Sequence, residues 1–236
     1  MQTAALPRQD APAEHELKLV VAAIRAAPLL EWLRARCIPD PLYPDGLVTS
    51  IYFDNRSMVL LRAKINSDFI KRKVRVRWYA DPATGVAQDP AFIEIKEKVG
   101  ARRFKIRVPL EVAAAEIAGN ISISALRSLL APLRQAGHWV ATDLQPFVRI
   151  AFRRHRFTDP TNGARISIDS SIRGTTANPA LLPASRPALL AHAVIEVKGE
   201  SRELSPWMVP LGRFGCRRES FSKYERCFRK LTGNSW

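Results

Sequence analysis

Short runs along this chain alternate apolar and charged residues at period two. Lys71, Lys73, Arg75 and Arg77 alternate with Val74, Val76 and Trp78, and Glu94, Lys96 and Lys98 alternate with Ile93 and Ile95. Lys105 and Arg107 flank Ile106, Arg165, Ser167 and Asp169 flank Ile166 and Ile168, and Glu196 and Lys198 flank Val197. Glu14, Glu16 and Lys18 alternate with Leu17 and Leu19. Successive side chains of a strand point to opposite faces, so each run predicts a strand with one apolar and one charged face. The whole pattern predicts eight strands, near residues 14–21, 47–54, 69–79, 91–98, 103–109, 147–157, 164–169 and 193–199.

Helical spacing interleaves with these runs. Ala22 to Cys37 places Ile24, Leu29, Leu30 and Leu33 near one face, with Pro28 as its weak point. Leu110 to Ile117 reads as a short helix, and Ser122 to Ala136 as a longer one, with Ser122 or Ser124 as N-cap. The stretch from about Ser220 to Leu231 reads as a basic helix. Val99-Gly100 and the Asp159-Pro160 to Asn162-Gly163 segment predict hairpins, hence antiparallel pairing. Residues 170–192, rich in Ala, Pro and Ser, predict a long loop or mobile lid. Residues 1–13 predict a disordered tail and 14–232 a single domain.

Composition narrows the partners. Among 236 residues, 37 are Lys or Arg and 22 Asp or Glu, a formal charge of +15 that favours a polyanion. Cys37, Cys216 and Cys227 lack metal-site spacing and read as small buried hydrophobes. No signal peptide and no apolar run of membrane-spanning length is seen, so the expected location is cytoplasmic.

A charged strand face is ordinarily just the solvated face of a sheet. Here the faces are dominated by Lys and Arg. Two like charges about 6 Å apart repel by roughly 3 kcal/mol at an effective dielectric of about 20. A row such as Lys73, Arg75 and Arg77 therefore calls for solvent or an anion. Eight strands can close into a barrel with such charges inside. An outer-membrane barrel fits poorly, because helices interrupt the hairpins. Glu16, Glu94 and Glu196 each precede a lysine by two, so each pair shares a strand face. Such pairs either neutralise each other or divide the work. In the second case the carboxylate holds Mg2+ or Mn2+ and the lysine holds phosphate oxygens.

The ordered motifs E-L-K (16–18), S-I-Y-F-D (50–54), K-V-R-V-R-W-Y (73–79), I-E-I-K (93–96), K-I-R (105–107), F-R-R-H-R-F (152–157), R-I-S-I-D (165–169), I-E-V-K-G (195–199) and F-S-K-Y (221–224) resemble the VTC domain. That is the polyphosphate polymerase domain of the vacuolar transporter chaperone complex, in the triphosphate tunnel metalloenzyme superfamily with CYTH proteins. The resemblance implies an α+β fold: an eight-stranded antiparallel β-barrel forming a tunnel, with surrounding helices and a C-terminal one. It implies phosphate ligands at Lys18, Lys73, Arg75, Arg77, Lys96, Arg154, Arg165, Lys198 and Lys223, with Lys105 and Arg107 as weaker matches. It implies Glu196 as principal ligand for Mn2+ or Mg2+, with Glu16 and Glu94 as helpers. One departure is Phe152-Arg153-Arg154, where the family has Tyr-x-Arg. The family's regulatory SPX domain and membrane helices are not seen, so a separate membrane protein is the expected partner for translocation.

These implications converge on phosphoryl transfer from ATP or another nucleoside triphosphate to a polyphosphate end, with Lys73, Arg75, Arg77, Arg154, Arg165 and Lys198 as the catalytic set. An anionic acceptor needs no strong base, and His15, His138, His155 and His192 fall in none of the matched positions. No Walker-type glycine loop is present. A triphosphate hydrolase on the same barrel and a non-catalytic polyphosphate-binding module are the alternatives. Nucleic acid is not expected, because aromatic residues interleave sparsely with the basic ones.

Overall fold

The computed structural model describes residues 15–119, 121–183 and 186–233. Glu14 and the tail expected over residues 1–13 lie outside the described residues. The strands are β1 (His15–Ala22), a two-residue β2 (Ile38–Pro39), β3 (Asp45–Asp54), β4 (Ile70–Ala80), β5 (Ala87–Val99), β6 (Arg102–Pro109), β7 (Gln145–Thr158), β8 (Arg165–Thr176), a two-residue β9 (Ala188–Leu189), β10 (His192–Gly199) and a two-residue β11 (Arg217–Arg218). The helices are α1 (Ala26–Arg34), α2 (Val59–Ile65), α3 (Ala114–Ala118), α4 (Ile123–Ser128), α5 (Ala131–Gln135) and α6 (Lys223–Thr232), with 3-10 turns at Ala23–Arg25 and Pro206–Phe214.

One antiparallel sheet runs in the order β11-β1-β10-β8-β7-β3-β4-β5-β6. Its long strands match the eight expected from the alternation. The barrel is not closed by backbone bonds: β6 and the β1–β11 edge stay unpaired with each other. Arg103 of β6 instead reaches Glu16 of β1, with Nη1 and Oε2 2.7 Å apart. Charged residues at alternate positions of β6 make it a poor template for further pairing. The sheet therefore curls round and its seam is bridged by side chains.

Two apolar layers cover the outer face. Ile51, Phe53, Val74, Val76, Trp78, Ile93 and Ile95 pack under α3, α4 and α5 through Ile117, Leu126, Leu130 and Leu133. Leu17, Leu19, Ile166, Ile168, Ile195 and Val197 pack under Leu29 and Leu33 of α1 and Met208 and Leu211 of the second 3-10 turn. Pro28 is harmless because it sits in the first turn of α1, where the missing N–H has no intrahelical partner to lose. The helix expected over Ser122–Ala136 splits in two, since Pro132 stands at the start of α5. Ser122 caps α4, its hydroxyl accepting from Ala125 N at 3.1 Å.

A third apolar cluster lies on the inner face. Val20, Val48, Tyr52, Ile150, Phe152 and Val194 meet Phe221, Tyr224, Cys227 and Phe228, so α6 fills one end of the curled sheet. Asp54 pins this plug. Its carboxylate accepts from Leu60 N at 3.0 Å and Leu61 N at 2.9 Å, at the start of α2, and from the Tyr224 hydroxyl at 2.9 Å. The sequence pattern did not predict α2, whose start is held by side chains just upstream: Asp54, and Asn55 Oδ1, which accepts from Val59 N at 3.1 Å. Residues 170–176, expected in a long loop, continue β8, and β9 pairs with that extension. Cys37 and Cys227 are buried, and burial pushes each thiol up to about 12.

Gly174 of β8 lets α6 seat this closely, because a Cβ there would lie 2.7 Å from Cys227 Cβ. Gly174→Ala should therefore lower folding stability by about 1–3 kcal/mol through overpacking, read as a lower urea midpoint. An unchanged midpoint would show that α6 moves off β8 without cost.

Candidate functional site

Cross-strand register decides which charges meet inside. Arg75 stands opposite Glu94, and Glu94 opposite Arg107. One row along, Lys73, Lys96 and Lys105 stand opposite one another. Across the sheet Lys18 faces Glu196 and Arg154 faces Asp169. The inner face thus carries two linked clusters.

In the first, buried Glu94 organises arginines. Its Oε2 accepts from Arg75 Nε at 2.8 Å and Nη2 at 2.6 Å. Its Oε1 lies 3.4 Å from Lys105 Nζ and 3.3 Å from Arg107 Nε. Burial opposes ionisation of Glu94, but Arg75, Arg77 and Lys105 outweigh it and hold the carboxyl far below its usual range. Arg75 also donates to the Tyr52 hydroxyl at 2.9 Å, and Arg77 to Ser50 Oγ at 2.9 Å. Burial raises the Tyr52 pKa, yet Arg75, Arg77 and Lys73 bring it down to about 8. Lys73 donates to Ser222 Oγ at 3.0 Å, at the start of α6. Burial, with Lys18, Arg75 and Lys64 nearby, brings the Lys73 ammonium down to about 8. Lys96 is held well below the ordinary lysine value, first by Arg75 and then by its own burial.

The second cluster gathers carboxylates. Arg154 binds Asp169 by two bonds, 2.5 and 2.6 Å, and reaches Glu196 at 3.2 Å. Lys223 of α6 lies 2.5 Å from Asp169 Oδ2 and 3.3 Å from Glu196 Oε1. Lys18 lies 3.5 Å from Glu196 and 3.7 Å from Glu16, and donates to Phe221 O at 3.2 Å. Burial pushes the Glu196 carboxyl up, but Lys223, Arg154 and Lys18 hold it well below its usual range.

The structure thus brings together Lys18, Lys73, Arg75, Arg77, Lys96, Lys105, Arg107, Arg154, Lys198, Lys223, Glu16, Glu94 and Glu196. Lys198 has its Nζ 4.0 Å from Glu16 and its charge acts on Lys96 and Glu196, whereas Arg165 is exposed at the start of β8. Asp169, Tyr52, Ser50, Arg103 and Ser222 join the site without having been singled out. Asp169 shares strand parity with Arg165, and Arg103 with Lys105 and Arg107, so period two already carried that signal. Tyr52 and Ser222 lie within the motifs S-I-Y-F-D and F-S-K-Y, but the contact of Ser222 with Lys73 depends on the packing of α6.

Among the described residues, no three His, Cys, Asp or Glu side chains converge as a ready-made metal centre. Glu16 and Glu196 nonetheless supply hard oxygens around the shared Lys18. That suits Mg2+ or Mn2+ held by one or two carboxylates with substrate phosphates completing the shell. Both Glu94 oxygens face arginines or Lys105, a different set of cations from that around Glu196.

An antiparallel sheet curled around an enclosed cationic face defines a tunnel-type protein. A solved structure of a Bacillus halodurans protein, titled as an adenylate cyclase candidate, shares this fold with a TM-score of 0.51 at 14% identity, over 89% of this chain and 95% of that one. The VTC domain family matches residues 13–232, and the chain belongs to that family. Vacuolar transporter chaperone complex subunit 4 of Trypanosoma cruzi (strain CL Brener) is 26% identical over 233 residues, covering 80% of this chain and 28% of the relative. The subunit of the same name from Trypanosoma brucei brucei (strain 927/4 GUTat10.1) is 28% identical over 231 residues, covering 80% and 29%. The chain therefore spans less than a third of the length of these relatives. Among the described residues no helix is long and apolar enough to cross a membrane.

The depressed Lys73 pKa has a testable sign. The folded protein holds a charged Lys73 at a cost that is full below pH about 8 and fades between about 8 and the ordinary lysine value of 10.5. Lys73→Met should raise the melting temperature of the ligand-free protein at pH 7, and the gain should shrink as the pH rises through that window. A melting temperature that falls at pH 7, or a gain that grows with pH, would contradict this account.

Proposed function

We propose that this chain is a metal-dependent phosphotransferase that takes a nucleoside triphosphate into its tunnel and extends a polyphosphate chain. The observation that carries the reading is the inner row of Lys73, Lys96 and Lys105 beside Arg75 and Arg77, with Lys73 depressed first by burial and then by nearby cations, and Lys96 first by Arg75. Cations forced together at such cost make a site for a multiply charged anion. The VTC family resemblance supports a phosphate chain as that anion.

The residue roles follow from the contacts. Glu94 and Tyr52 hold Arg75 in one orientation, so its guanidinium is set before substrate arrives. Lys73, Arg75, Arg77, Lys96 and Lys105 neutralise the phosphates. Arg154, Lys18 and Lys223 surround Glu196 and bring further positive charge to the transferred group. The terminal oxygen of the acceptor phosphate attacks the γ-phosphorus, and the bond to the β,γ-bridging oxygen breaks, releasing the nucleoside diphosphate. The acceptor is already an anion, so no base is required. Glu196, helped by Glu16, would hold Mg2+ or Mn2+, which supplies charge neutralisation on the phosphate oxygens. Lys198, beside Lys96 and Glu196, joins them in neutralising phosphate, and exposed Arg165 guides the chain in or out. A separate membrane protein is the proposed partner, and the cytoplasm the proposed compartment.

Purified protein given ATP with Mn2+ or Mg2+ should form long-chain polyphosphate. Orthophosphate release from tripolyphosphate without chain growth would make it a hydrolase, and binding without turnover a non-catalytic module. Glu196→Gln should reduce turnover at least about a hundredfold, equivalent to about 2.7 kcal/mol, while metal-free phosphate binding persists. Full metal-dependent turnover in that variant would remove Glu196 from the mechanism. Lys223→Met should weaken binding of a non-hydrolysable ATP analogue about ten- to a hundredfold, the range for one charge-assisted contact. Because Lys223 also pairs with buried Asp169, the ligand-free melting temperature should fall as well. Equal calorimetric affinities for wild type and variant would reduce Lys223 to a structural ion pair.

A further inference from the structure

We propose that the tunnel end opposite α6 binds the nucleoside of the triphosphate, on a ladder of rings and guanidinium groups formed by Phe92, Arg107, Tyr79 and Arg156. This rests on the nucleotide reading above and adds how the substrate is oriented and which residues recognise its base.

The geometry is specific. The Arg107 guanidinium lies 3.5 Å from the centroid of the Phe92 ring and 5.6 Å from that of Tyr79. Arg156 lies 5.7 Å from the other end of the ladder, the Tyr79 ring. Arg107 Nη2 donates to the Tyr79 hydroxyl at 3.2 Å, and Arg156 Nη1 to Tyr43 O at 2.9 Å. Phe92, Tyr79 and Arg156 are part-buried, and Arg107 is exposed. Tyr79 is next to last in β4, Arg107 and Arg156 lie two residues from the ends of β6 and β7, and Phe92 is in the first half of β5, so antiparallel pairing gathers them toward one end. The α6 cluster of Phe221, Tyr224 and Phe228 lies toward the other end, where Ser222 meets Lys73 and Tyr224 meets Asp54, and Tyr79 touches only the edge of that cluster.

A phosphate chain has no π face and no apolar surface, so rings at this end add nothing to its binding. Cations alone suffice, as in the row at Lys73. A purine or pyrimidine offers two π faces, which stack on aromatic rings and on guanidinium planes with little regard to base identity. The register supplies the continuation: Phe92 stands opposite Arg77, and the next inward-facing pair is Arg75 and Glu94. A base held on the ladder thus has the phosphate-binding arginines beside it, one row further in.

The test compares two ligands in EDTA, where neither turns over: the β,γ-imido analogue of ATP and tripolyphosphate. Calorimetric titration is made on wild type, Tyr79→Leu and Tyr79→Phe. Loss of one stacking ring should weaken the ATP analogue about five- to a hundredfold in Tyr79→Leu, while tripolyphosphate affinity stays within about twofold. Tyr79→Phe keeps the ring and should retain the wild-type preference for the nucleotide. Equal losses for both ligands would show that Tyr79 only supports Arg107, and an unchanged analogue affinity would show that no base rests there. Either result overturns the ladder while leaving the phosphate tunnel standing. A wild type that binds neither ligand overturns both.

Discussion

Like-charge repulsion on an enclosed surface is the constraint around which this molecule is built. Lys73, Lys96 and Lys105 are neighbours by strand register, with Arg75 and Arg77 on the same face. In water such a row would be screened; on the inside of a curled sheet screening is weaker and the charges feel one another. The protein answers with a few buried carboxylates. Glu94 binds Arg75 and Arg107, Asp169 binds Arg154 and Lys223, and Glu196 is shared by Arg154, Lys18 and Lys223. These do not neutralise the whole face. Lys73, depressed first by burial, and Lys96, depressed first by Arg75, register what is left.

The helices make that enclosure possible. A sheet that turns its charged face inward must bury its apolar face elsewhere, and α1 and α3–α5 cover it from outside. The C-terminal helix does the opposite job. It enters the curl, replaces charge with an apolar plug, and at its first residue presents Lys223 to the carboxylates. Asp54 and Gly174 fix its position, one by hydrogen bonding Tyr224 and the other by offering no side chain. Packing and chemistry therefore meet at α6, and the charge around Glu196 depends on how that helix seats.

Likeness of fold to the Bacillus halodurans structure at 14% identity shows that one strand arrangement tolerates a change of most side chains. The open seam belongs to the same economy. A backbone-closed barrel would hold its eighth pairing by main-chain bonds, whereas here the Arg103–Glu16 contact ties β6 to β1 through side chains on the tunnel side.

Period-two alternation determined most of the fold by itself. A strand has only two faces, so the pattern placed eight strands and told inside from outside for Val74, Val76, Ile166 and Val197 as against Lys73, Arg75 and Glu196. Residue order alone also supported the family. It could not determine partners. Which cations Glu94 meets depends on which strands are neighbours, and register put it between Arg75 and Arg107. Asp169 carried the right parity, but its weight comes from Lys223, 54 residues away in sequence and 2.5 Å away in space. Helix α2, the split of α4 from α5, and the strand at 170–176 depended on the Asp54 carboxylate just upstream, on Pro132 and on pairing with β7 and β9. Local patterns report which face a side chain occupies. Only the closing of the sheet, which brings far segments within a few ångströms, decides which charges share that face and what they do together.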